Sequence, residues 1–150
     1  MKVTIAALIA GIAVAPPLAP QAQAAGVAKR GGDAVFVAAT DIRWSDVPGA
    51  PGVQIAPLRG DPGKGPSHFF LKFAGGFAAP VHHHSANHHV TVVKGTLVLE
   101  VDGKEHKLPA GSYFSFSGKK RHATRCEAGS ECVLAMDARG KWDVVPAARR

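Results

Sequence analysis

The sequence predicts a single all-β domain, a sandwich or barrel, on three observations. Downstream of Pro80, short runs of β-branched and aromatic residues alternate with turn signals at intervals of about eight to twelve residues. Nowhere does an apolar pattern of helical period extend beyond a turn or two. Finally, 150 residues can bury one working core and leave no room for a second.

The elements follow in chain order. Met1-Lys2, the apolar run Val3 to Ala15, three prolines and Ala22-Gln23-Ala24-Ala25 make a secretory signal peptide over residues 1–24. The apolar run is broken by Pro16 and Pro17 and falls short of the ~20 residues a bilayer span needs. A secreted or periplasmic protein is expected, cleaved after Ala24 and holding no stable membrane insertion thereafter. Residues 25–33, rich in Gly, Ala, Lys and Arg, read as a flexible arm. The barrel domain is expected over residues 34–146, and 147–150 form a basic tail.

Within the domain, Ala34 to Ala38 has strand composition, and Asp41 to Pro48 closes one end. The density of Gly and Pro from Pro48 to Gly65 excludes helix and leaves one short strand, Val53 to Leu58. Ser67 to Phe73 is a strand stopped by Gly75-Gly76. Val90 to Val93, Thr96 to Val101, Lys104 to Leu108 and Tyr113 to Phe116 follow, with Asp102-Gly103 a type I′ hairpin signal between the second and third. His122 to Cys126 is expected to pair with Cys132 to Met136 as a hairpin across Glu127 to Glu131. In an exported chain the two cysteines are then expected to form a cross-strand disulfide, with a free thiol as the alternative.

The formal net charge is +7, but the basic residues are scattered and only Lys119-Lys120-Arg121, with Arg125 nearby, form a group. Nucleic-acid binding is excluded, since no basic stripe is interleaved with stacking aromatics. The group reads as an exposed basic turn; the alternative is a rim that steers an anionic small molecule.

Five of the eight histidines fall between Pro80 and Val90. On an extended strand alternate side chains share a face, so His82 and His84 converge while His83 points away. His88 opens a strand whose same-face partners are Val90 and Val92, an apolar set, so it points inward as well. His89 belongs to the other face. A fourth inward ligand must come from a distant strand, and His122, behind the turn at Ser117-Gly118, is the histidine placed to supply it. His68 and His106 have no partner in sequence. Tyr113, Phe114 and Phe116 supply candidate pocket walls.

These residues resemble the cupin superfamily. Its first motif, a Gly, five residues, His-x-His, three or four residues, Glu, six residues and Gly, maps onto Gly76, His82, His84, His88 and Gly95, with His88 where Glu is expected. Its second motif maps onto Gly111 and His122, with Ser117 in place of Pro and Lys119 in place of Gly. The flanking Trp44, Pro48-Gly49, Gly60-Asp61-Pro62 and the two cysteines resemble those of small exported bacterial single-domain cupins.

The resemblance implies a double-stranded β-helix, or jelly-roll, with a divalent transition metal on His82, His84, His88 and His122. Three histidines with His88 swung away is the alternative. Four neutral imidazoles present no negative ligand, which favours Zn, Ni, Cu or Fe over Mn or Mg. The expected activity is a dioxygenase-like oxidation, or an isomerisation or hydrolysis, of a small anionic or phenolic compound. A periplasmic metal or small-ligand sensor or carrier without turnover is the competing expectation, and a purely structural metal is a third. A homodimer is expected because barrel edge strands pair readily.

Overall fold

The computed structural model describes residues 34–147; the expected signal peptide and arm over 1–33, and residues 148–150 of the expected basic tail, lie outside them. Eleven strands are present among the described residues. One sheet contains β1 (Ser45–Asp46), β2 (Val53–Arg59), β3 (Ser67–Phe73), β10 (Cys132–Ala138), β5 (His88–Lys94) and β8 (Tyr113–Phe116), in that spatial order. The other runs β11 (Val145–Pro146), β4 (Ala78–His83), β9 (His122–Cys126), β6 (Thr96–Val101) and β7 (Lys104–Pro109). Every pairing is antiparallel. The two sheets face each other as the expected jelly-roll.

Period-two alternation decides what fills the space between them. On β3, Ser67, Phe69, Leu71 and Phe73 are buried; on β10, Cys132, Leu134, Met136 and Ala138; on β5, His88, Val90 and Val92. Burying each large apolar side chain contributes roughly 1.5–3 kcal/mol, so the core rests on the facing rows of these strands. At the β6–β7 turn Asp102 and Gly103 have φ of 50° and 76°, and Val101 pairs with Lys104. Two positive φ values are what a type I′ turn requires.

Two expectations are corrected. Strands β9 and β10 do not form a hairpin: β9 pairs with β4 and β6, whereas β10 pairs with β3 and β5 in the opposite sheet. Both strands bury alternate residues, and two such strands facing each other across a core look, in sequence, like two strands side by side. The Cys126–Cys132 disulfide does form, with Cα atoms 5.8 Å apart, and it ties one sheet to the other.

The segment Ala34 to Ala38 is not a strand. It has β-forming composition but no partner among the described residues, and Phe36 is 92% exposed. Propensity alone does not make a strand without a pleated surface to join. The short β11 beside β4 has no counterpart among the predicted strands.

Candidate metal centre

The two strands carrying His82 and His122 lie side by side, and beyond a register shift after Ala79 these residues are direct cross-strand partners. Cross-strand partners project to the same face, here the interior. His84 lies just past the end of β4, again inward, and His88 opens β5 after the Ser85-Ala86-Asn87 connection. All four rings are buried. Ring centroids are 4.4 Å apart for His82 and His122, 5.0 Å for His82 and His84, and 5.3 Å for His84 and His122.

His82, His84 and His122 each offer a ring nitrogen, the three lying within 4.8 Å of one another, so the group could hold a metal ion. His88 packs edge-on against His84, centroids 4.9 Å apart, but is 6.3 Å from His122 and outside that group.

The backbone sets the ring chemistry. His82 Nδ1 bonds the Pro80 carbonyl at 2.7 Å, His84 Nδ1 that of Asp143 at 2.5 Å, His88 Nδ1 that of Ala86 at 3.2 Å and His122 Nδ1 that of Lys120 at 3.0 Å. A carbonyl only accepts, so each Nδ1 carries the proton and each Nε2 keeps a free lone pair in the neutral ring. Burial disfavours the imidazolium, lowering all four below the usual histidine range, His84 to about 3 and His122 to about 4. The donor set therefore fits a borderline transition metal that prefers nitrogen.

A tight loop crossing holds this end of the barrel. Lys119 N–H donates to the His84 carbonyl, and Gly118 N–H donates to Asn87 Oδ1, both at 2.7 Å. A Cβ at Gly118 would stand 2.3 Å from the Ser85 carbonyl oxygen, so only glycine fits. Lys119, where the family motif has Gly, adopts φ of 67°. That left-handed conformation costs a non-glycine residue roughly 1–2 kcal/mol.

Two residues not singled out from sequence complete the site. Trp142 stacks on His84, centroids 3.8 Å apart at 20°, and meets Phe69 and His88 edge to face. Asp143 supplies the His84 carbonyl partner, while its carboxylate accepts both the backbone N–H and the hydroxyl of Ser85, at 2.8 and 2.7 Å. Asp143 sits 59 residues from the histidine it supports, with Trp142 beside it, which no local pattern reveals.

The histidines line a cavity of about 570 Å³ whose walls include Leu71, Phe73, Phe77, Leu97, Phe114 and Met136. Among the described residues no Lys or Arg lines it. Phe116 packs against His122 with centroids 4.5 Å apart. Tyr113 is not a wall: it lies on the outer face, 60% exposed, sharing a 2.7 Å hydrogen bond with His89. His83, expected to point outward, is half-buried and clear of the cavity; of the two histidines without a partner in sequence, His106 is exposed on β7 and His68 faces Asp137 at 3.9 Å.

Lys119, Lys120 and Arg121 border a separate polar cleft together with Glu100 and Asp102; His122 also reaches it. Lys120 is paired with Asp102 at 2.6 Å and Arg125 with Glu105 at 2.8 Å. The basic group is thus a surface turn with acidic neighbours, not a rim of the apolar cavity.

A family model described as a cupin domain matches residues 69–137. Those residues carry a cupin domain. The fold of the chain agrees with the polyketide cyclase RemF from Streptomyces resistomycificus, with TM-score 0.65 and 19% identity over 77% of this chain and 86% of that chain. KdgF from a Halomonas species gives TM-score 0.59 and 21% identity over 71% and 94% of the two chains. An RmlC-like cupin from Shewanella frigidimarina gives 0.56 and 22% over 69% and 89%. At these identities the likeness is one of fold. No curated protein matches this chain.

Proposed function

We propose that this chain is an exported metal-binding protein that holds a divalent transition metal on His82, His84 and His122, with His88 as a neighbouring fourth nitrogen, and acts on a small phenolic compound. The observation that carries this reading is the convergence of three buried, Nδ1-protonated imidazoles within 4.8 Å at the wall of an apolar cavity. A bound Zn, Fe, Ni or Cu ion would polarise a ligand oxygen and, if redox-active, support dioxygenase-like oxidoreductase chemistry.

The chain's own residues supply the rest. Neutral imidazoles leave the centre positive toward an oxygen donor. The walls of Leu, Phe and Met side chains offer an aromatic ring an apolar surface to pack against. The predominantly apolar lining among the described residues favours a phenolic over a strongly anionic compound. The disulfide joining the sheets supports an oxidising compartment, and with it export.

One observation favours a second reading, a periplasmic sensor or carrier without turnover. The sole acid among the lining residues is Asp143, and both its carboxylate oxygens are engaged by Ser85. Conventional carboxylate acid-base catalysis has no free group there. Elemental analysis of protein purified without added metal, followed by dioxygen-uptake assays with phenols, separates the two. Bound iron or copper with uptake supports the oxidoreductase; tightly held zinc without turnover supports the binding module; absence of any metal refutes both.

A further inference from the structure

The four inward histidines are oriented by two kinds of partner. His82, His88 and His122 each donate Nδ1–H to the carbonyl two residues earlier, so each carries its orienting group within its own stretch of chain. His84 instead donates to the carbonyl of Asp143, 59 residues away. The same residue grips Ser85, the neighbour of His84, through both carboxylate oxygens. Trp142 lies flat on the His84 ring.

The segment carrying these two residues is anchored at both ends. Trp142 N–H donates to the Pro62 carbonyl at 2.7 Å, Val145 and Pro146 pair with His83 and His82, and Ala147 N–H donates to the Val81 carbonyl at 3.0 Å. It forms a strap running alongside β4, the strand that bears His82 and leads into His84.

We infer that Asp143 is a positioning residue for His84, and that the strap, through Asp143 and Trp142, sets the protein's affinity for its metal. The inference rests on the reading that His82, His84 and His122 are ligands. The Asp143 carboxylate touches no ligand nitrogen. It holds Ser85, and thereby keeps its own carbonyl on His84 Nδ1 and the free Nε2 lone pair aimed at the other two rings. Outer partners of this kind change metal affinity by 10- to 100-fold when removed.

The test is a Co²⁺ titration of the full chain, reading the visible Co²⁺ spectrum and the dissociation constant by competition with a chromophoric chelator. A Trp44→Phe background leaves Trp142 as the sole indole, whose fluorescence reports metal arriving beside it. Asp143→Ala is expected to bind Co²⁺ about tenfold more weakly, with an altered spectrum. Asp143→Asn, which keeps an acceptor for the Ser85 N–H, is expected to stay within about twofold of the parent and to restore the spectrum. A residue that merely stabilised the fold would lower the melting temperature and leave the spectrum of the folded protein unchanged; that result overturns the inference.

Should Asp143→Ala fail to fold, Ser85→Ala carries the test. It removes one of the two grips and is expected to weaken binding roughly threefold, the effect of one hydrogen bond; unchanged affinity overturns the inference. A parent protein that binds Co²⁺ while both Asp143→Ala and Ser85→Ala bind equally well defeats the positioning role alone. A parent protein that binds no Co²⁺ defeats the ligand reading and this inference with it.

Discussion

His82 and His122 face each other across the β4–β9 ladder with ring centroids 4.4 Å apart, both rings buried and both Nδ1 atoms bonded to a backbone carbonyl two residues upstream. The pair gives the candidate centre its rigidity. Two rings fixed by a ladder need only His84, held by the strap, to complete a group of three. Burial keeps these rings neutral.

Metal binding should stabilise the barrel without being needed to fold it, because the core and disulfide stand independently of the histidines. At a hundredfold excess over Kd the gain is about 2.7 kcal/mol. Calorimetry with and without a chelator checks this: a melting temperature raised by several degrees, with a cooperative transition in both states, is expected.

The metal-free protein should lose stability as pH falls from about 6.5 toward 4. In the unfolded chain the histidines take protons near 6.5, whereas in the folded chain His84 and His122 wait until about 3 and 4. The unfolded state then binds more protons across that window, and stability declines with falling pH. Urea midpoints at pH 7 and pH 5 measure it, and a metal-loaded sample should resist the decline until its ligands are displaced.

Lys119→Gly should stabilise the protein by about 0.5–1 kcal/mol, since relief of the left-handed backbone outweighs the added chain entropy. Gly118→Ala should do the reverse, by about 1–3 kcal/mol, because its Cβ meets the Ser85 carbonyl. Both are read from urea unfolding, and opposite signs at adjacent positions make the pair a stringent check.

Replacing both Cys126 and Cys132 by Ser should lower stability by about 2 kcal/mol, the low end of the disulfide range, because the closed loop is short. The cut also releases one sheet from the other at that end. Metal affinity should change little, since the cysteines belong to the hydrophobic cluster and do not line the histidine cavity.

Strand parity made much of this legible in sequence. His82, His84 and His88 could be assigned inward because each shares a face with a buried neighbour at a spacing of two, and Asp102-Gly103 announced its turn by needing two positive φ values. Parity is silent about which sheet a strand joins. For that reason β9 and β10 read as a hairpin, and the disulfide's role as an inter-sheet tie was hidden.

Trp142 and Asp143 were invisible for a different reason. Their significance lies in contacts with His84, Ser85 and Pro62, none of which is near in sequence. Likewise, nothing local showed that Ala34 to Ala38 would find no partner strand among the described residues, since propensity carries no information about available edges.

The most direct test of the central claim is the metal content of purified protein beside that of a His84→Ala variant, measured by elemental analysis on folded samples. One equivalent of transition metal in the parent and a near-complete loss in the variant is the predicted result. Equal metal content in the two would contradict the assignment of the centre to these histidines.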